Sequence, residues 1–203
     1  MNKSLEKIFS LKGFMPLHEG KALMKWCGKF CLNRPALEIG SFCGKSAHLL
    51  AYELKDSNQK VFTLDHHIGS EEHQADQEYF DRDIFDKNLN QVNTLPILIK
   101  NLQENNLSSK IFPLIGKSRD IAGVWNEKLG LLFIDGGHAF ETALEDYHSW
   151  KEHVAEGGVI VFHDIYEDSS KGGLAPYKVM QEAINEGFSI VDREDTIVCL
   201  QKL

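Results

Sequence analysis

Two residues able to move a proton or hold a charge follow one apolar run. In LLFIDGGHAF, Leu131 to Phe140, four apolar residues give way to Asp135, two glycines and His138. A turn needs no more than Gly136 and Gly137, so the carboxylate and the imidazole ask for another purpose. An imidazole with an ordinary pKa of roughly 6.5 can take a proton near neutrality. The plainer alternative for His138 is to shape the turn or cap the next helix.

A second cluster lies in EIGSFCGKS, 38 to 46. Gly40 and Gly44 bracket a strand-to-helix turn whose bare backbone lets a ligand approach, and the helix N-terminus offers unpaired N–H groups to an anion. GSFCGKS imitates a P-loop, with LLFID as the acidic strand beside it. A P-loop, however, places four residues between its first glycine and the Gly-Lys pair; here there are three, and Ile39 stands where that glycine belongs. Glu38 ends the first apolar run and Asp65 the second, about 20 residues beyond the turn, where a carboxylate can accept both hydroxyls of a ribose.

These residues need strands that end together. Apolar runs ALEI (36–39), KVFTLD (60–65), KIFPLI (110–115), LLFID (131–135) and GVIVFHD (158–164) alternate with amphipathic stretches 44–54, 94–107 and 139–154. FSIVD and TIVCLQ close the chain as a hairpin. The pattern predicts an α/β, Rossmann-like doubly wound fold: a mostly parallel seven-stranded sheet with a C-terminal antiparallel hairpin and N-terminal helices. The stripe Phe140, Leu144, Tyr147, Trp150 and Val154 predicts core. Residues 66–93, polar, acidic and aperiodic after a strand end, read as a lid or as a solvated loop. Residues 1–33 read as a helical cap.

With 203 residues and 42% hydrophobic content, the chain predicts one domain, 1–203. Twenty-two basic against 30 acidic residues give a net charge of −8, which builds no face for nucleic acid. The N-terminus lacks the apolar core of a signal peptide and no run approaches a membrane span, so a cytoplasmic protein without a membrane partner is expected. Cys27 and Cys31, four apart on a helical face with Leu23, Trp26 and Phe30, predict buried thiols rather than half a zinc site.

ALEIGSFCGKSAHLLA resembles the first motif of class I S-adenosylmethionine-dependent methyltransferases, most closely the metal-dependent O-methyltransferases of the catechol type. The resemblance implies that the turn Gly40, Ser41, Phe42 and Gly44 passes under the methionine part of S-adenosylmethionine. Ser46 then binds its carboxylate and Asp65 its ribose, with Glu38 and His66 also at the cofactor. LIGKSRDI, 114–121, is similar to the family's adenine-contacting segment, which gives that role to Ser118 and Arg119; Ser118 also reads as a helix N-cap. The family's metal-binding aspartate falls on Asp135, beside the cofactor, with His163 and Asp164 of VIVFHDIY as the further ligands. Mixed oxygen and nitrogen donors leave magnesium, manganese, iron and zinc open. His163 reads alternatively as a residue orienting Asp164.

The family's general base falls on His138. Together with the IDG strand end shared with antibiotic-tailoring and sugar O-methyltransferases, this implies metal-assisted O-methylation of a small-molecule or sugar hydroxyl. A P-loop-like nucleotide enzyme, a non-catalytic S-adenosylmethionine-binding module and a metal-dependent hydrolase are the alternatives. Acceptor choice is expected in the N-terminal helices, in 66–93 and in YEDSSKGGLAPY, 166–177, read as a second mobile loop. Phe14, Trp26 and Phe30 are candidates for capping the site or pairing two chains into a homo-oligomer.

Overall fold

The computed structural model describes residues 2–70 and 80–203. Seven strands form one sheet in the order β5-β2-β1-β6-β7-β9-β8. They are β1 (Ala36–Ile39), β2 (Val61–Asp65), β5 (Ile111–Ile115), β6 (Leu129–Ile134), β7 (Val154–Phe162), β8 (Phe188–Glu194) and β9 (Ile197–Lys202). The pairs among β5, β2, β1, β6 and β7 are parallel, whereas β9 runs antiparallel to both β7 and β8.

Alternation along each strand divides the core into two layers, as the two-residue period of a pleated strand requires. Ala36, Val61, Leu131, Phe133, Val159 and Val161 face one side. There they meet α1 (Lys3–Phe9), α2 (Leu17–Phe30), α3 (Lys45–Glu53) and α4 (Leu95–Glu104). Leu37, Ile39, Leu64, Leu132, Ile134 and Phe162 face the other, under α5 (Ser118–Ala122), α6 (Phe140–Trp150) and α7 (Ala175–Asn185). A sheet buried on both faces explains why its central strands read as unbroken apolar runs. No helix among the described residues is long and apolar enough to cross a membrane.

The register does the positioning. Ile39 lies beside Leu64 and Ile134, and Ile134 beside Phe162. The residues that follow these four, Gly40, Asp65, Asp135 and His163, therefore emerge at one level along the carboxyl edge. The chain winds outward from β1 through β2 to β5 and returns to β6 on the opposite side. The edge between β1 and β6 is thus the switch point, where sheets of this kind bind ligands.

Several expectations need correction. Val154 opens β7 rather than closing α6, because the helix ends at Trp150 and a short 3-10 turn, Lys151–His153, intervenes. Phe140 is 37% exposed; the buried stripe of α6 is Ala143, Asp146, Tyr147 and Trp150. The loop expected over 166–177 ends at Leu174, where α7 begins, and within it the Tyr166 ring covers Gly172 closely enough to exclude a Cβ. Part of the expected lid, 71–79, lies outside the described residues. Within the remainder a 3-10 turn, Arg82–Ile84, leads into a small hairpin of β3 (Phe85–Asp86) and β4 (Gln91–Val92). Ile84 and Val92 bury against Cys43 of the glycine turn, which anchors the hairpin beside it.

Candidate active site

The glycine turn is built on left-handed backbone. Gly40 has φ +99° and Gly44 φ +87°, and a Cβ at Gly40 would stand 2.0 Å from the Asp135 carbonyl oxygen. Only glycine satisfies both demands. The amide of Asp135 donates to the Ile39 carbonyl at 2.9 Å, so the turns after β1 and β6 lie back to back.

Beneath the turn, Glu38 is fully buried and its Oε2 accepts from the Thr63 hydroxyl at 2.5 Å. Thr63 Oγ1 also lies 2.6 Å from Ser41 Oγ, and among the described residues none is placed to hydrogen-bond Glu38 Oε1. Burial pushes the Glu38 carboxyl up to about 8 against the pull of the Ser46 and Thr63 hydroxyls, and Asp135 and Asp65 push it the same way. Ser46 lies in the first turn of α3 and is buried. Lys45 does not face the turn as a phosphate-binding lysine would; its Nζ donates to the Gly13 carbonyl at 3.2 Å.

Asp65 is held by its neighbours. Oδ2 accepts from the Phe42 amide at 2.9 Å and Oδ1 from the His67 amide at 2.8 Å. The His66 imidazole, partly exposed, stands 3.8 Å from Oδ1. Phe42, at φ +46°, meets Phe14 with ring centroids 5.5 Å apart. Phe14 is 63% exposed, whereas Trp26 is buried and donates its indole N–H to Asp192, so Trp26 offers no surface for pairing chains.

Ser118 is the first residue of α5 rather than its N-cap, which is Lys117. Its Oγ accepts from Trp150 Nε1 at 2.9 Å. It also serves Asp146, whose carboxyl burial raises to about 6 against that hydroxyl, while Glu145 and Asp65 push it further up. Asp146 reaches Gly136 so closely that a Cβ there would meet its Oδ2 at 3.0 Å. The Arg119 guanidinium turns outward to Glu145 at 2.8 Å, with its side chain 66% exposed.

Beyond β6 and β7 four residues converge. His163 Nδ1 lies 2.9 Å from Asp135 Oδ1 and 3.2 Å from Asp164 Oδ2, and His138 Nε2 lies 2.9 Å from the same Asp164 oxygen. His163 and Asp164 stand just past the end of β7 rather than within it. Asp164 takes φ +55°, a conformation aspartate tolerates better than most residues. Burial pushes its carboxyl up, but hydrogen bonds and charge from His138 and His163 outweigh it and hold the group well below the ordinary carboxylate range. His163 is likewise raised well above its ordinary value, the nearby carboxylates overcoming burial.

One oxygen from each of Asp135 and Asp164 and one nitrogen from His163 lie within 4.8 Å of one another. Two carboxylates and an imidazole pointed at one spot fit a divalent cation that accepts nitrogen as well as oxygen. A recess lined by Asp135, His138, Ala143, Pro176 and Val179 adjoins them.

Two buried carboxylates here were not anticipated: Glu19, which binds His163 from behind at 2.9 Å, and Asp146. Each interrupts a buried helical stripe, Glu19 with Leu23, Trp26 and Cys27, and Asp146 with Ala143, Tyr147 and Trp150. An acid on an apolar face was the available signal. Cys27 and Cys31 are buried free thiols, and no metal-ligand grouping among the described residues includes them.

Residues 37–165 match the model of a family described as a methyltransferase domain. Among solved structures, the O-methyltransferase NovP superposes with a TM-score of 0.70 at 16% identity, over 92% of this chain and 80% of that one. The O-methyltransferase TomG from Streptomyces achromogenes, solved with SAM, gives 0.66 at 15% identity, over 100% and 91%. An O-methyltransferase from Bacillus cereus, solved with SAH, gives 0.66 at 17% identity, over 100% and 92%. At these identities the likeness is one of fold.

Proposed function

The chain belongs to the methyltransferase domain family, and from that premise we propose that it moves the methyl group of S-adenosylmethionine to a hydroxyl oxygen of a small molecule or sugar, with a divalent cation at Asp135, His163 and Asp164. The observation that carries this reading is the sign of the crevice. Asp65, Asp135 and Asp164 all stand at the carboxyl edge of the sheet, and the one lysine of the glycine turn faces elsewhere. Such a site repels a triphosphate and suits a sulfonium cation and a metal ion.

The proposed cofactor contacts use groups that the fold brings to the carboxyl edge of the sheet. With one amide on each oxygen, Asp65 keeps lone pairs for two ribose hydroxyls. Ser46 and the opening N–H groups of α3 suit the methionine carboxylate, and Oε1 of Glu38, without a hydrogen-bond partner among the described residues, suits its ammonium. Gly40, Ser41, Phe42 and Gly44 supply backbone beneath it. His66 borders the ribose, and Ser118 with the backbone of Arg119 borders the adenine.

A bound divalent ion would lower the pKa of an acceptor hydroxyl. His138, oriented by Asp164, takes up that proton, and the oxygen receives the methyl in line with the sulfonium. The products are a methyl ether and S-adenosylhomocysteine. The free thiols and the charge suit the cytoplasm.

Calorimetric titration tests the reading: S-adenosylhomocysteine binds tightly and ATP does not. Equal affinities for the two would sink it.

A further inference from the structure

We propose that Glu19 is a positioning residue that fixes which nitrogen of His163 faces the metal; the inference rests on the cation site proposed above. Glu19 lies in the first turn of α2, 1% exposed, and crosses from the N-terminal helices to the far end of β7. Its two oxygens have separate tasks. Oε1 accepts from the Thr196 amide at 2.8 Å and from the Thr196 hydroxyl at 2.6 Å, in the turn between β8 and β9. Oε2 pairs with His163 Nε2 at 2.9 Å.

A carboxylate with two Thr196 donors on Oε1 and an imidazole nitrogen on Oε2 has the partners of an ionised group, which only accepts hydrogen bonds. Nε2 of His163 must therefore carry hydrogen. In the neutral ring the lone pair is then on Nδ1, the nitrogen facing Asp135 and Asp164. A metal-bound histidine commonly donates its other N–H to a carboxylate in this way, which sets ring angle and basicity together.

Glu19→Gln makes the assignment testable, because glutamine offers one acceptor where glutamate offers two. The Thr196 backbone N–H can only donate, so it takes the amide oxygen. The amide NH2 is left facing Nε2 of His163. That nitrogen must then accept, its hydrogen moves to Nδ1, and the lone pair needed for the ion is lost. Thr196→Val separates this effect from loss of the strut, since it deletes the hydroxyl contact and leaves the amide.

The experiment measures binding of Mn2+ alone, by the electron spin resonance of free ion, in wild type, E19Q and T196V. S-adenosylhomocysteine affinity on the same samples reports an intact fold. E19Q is expected to bind Mn2+ roughly 10- to 100-fold more weakly and T196V within about twofold of wild type. With Zn2+ bound, 15N spectra should show hydrogen on Nε2 of His163 in the wild type. E19Q binding like wild type, or a Zn2+ complex through Nε2, overturns the role of Glu19 alone. A wild-type protein that binds S-adenosylhomocysteine but neither ion overturns the cation site, and this inference with it, while the methyltransferase reading stands.

Discussion

His138 and Asp164 leave the sheet from different strand ends and meet at 2.9 Å, on the same carboxylate oxygen that lies 3.2 Å from His163. Asp164 is thus a joint between the proposed base and the proposed cation site. The left-handed backbone that aims it is a conformation kept only where surrounding contacts hold it.

Replacing His138 by glutamine removes the proton acceptor and leaves the cofactor crevice alone. Turnover should fall by roughly 100- to 10,000-fold, with S-adenosylhomocysteine affinity within about twofold of wild type. Single-turnover kinetics beside calorimetry will show it; a parallel loss of both quantities would assign His138 to the turn instead.

Chelation should abolish methyl transfer, and the order of rescue should follow the donor set. With one nitrogen and two carboxylates, manganese, iron or zinc is expected to restore more activity than magnesium at equal concentration. Unchanged activity after exhaustive dialysis against chelator would remove the cation from the mechanism.

Asp65→Ala removes the proposed ribose acceptor. Hydrogen bonds to a charged group are worth about 1.5–3 kcal/mol, so S-adenosylhomocysteine should bind at least roughly tenfold more weakly. The same carboxylate secures the Phe42 amide, so protease resistance of the glycine turn should fall with it. Unaltered affinity would place the ribose elsewhere.

Glu38 makes stability depend on pH. Its folded value of about 8 lies above the ordinary 4.5, so as pH rises the unfolded chain gives up this proton first. Its effect favours the fold most below pH 4.5 and declines as pH rises from there through about 8. Glu38→Gln should lack this decline. The melting temperature of wild type minus E38Q should drop by at least about 2–4 °C between pH 5 and 9, the shift that one kcal/mol gives a chain of this size. Parallel curves would contradict it.

The sheet was legible because its central strands are buried on both faces and end on charged or glycine residues: ALEI, VFTLD and IFPLI read almost to the residue. The helix α7 was not, since Gly172, Gly173 and Pro176 announce a loop and its stripe of Val179, Met180 and Ala183 is short. Asp135, His138, His163 and Asp164 were grouped in the sequence only through the family resemblance, and the register of β6 and β7 brings their strand ends level. Glu19 was not, because its partner is 144 residues away and no local pattern specifies that contact. Arg119 shows the opposite limit: its position matched a motif, while its side chain is committed to Glu145.

The 2.0 Å that a Cβ at Gly40 would leave to the Asp135 carbonyl has a mechanical meaning. The proposed floor under the methyl donor and the proposed wall of the cation site are in direct contact, without a compressible side chain between them. In the proposed reaction donor and acceptor would be gauged against one rigid spacer, so the distance the methyl must travel would be set when the sheet folds, before either molecule arrives.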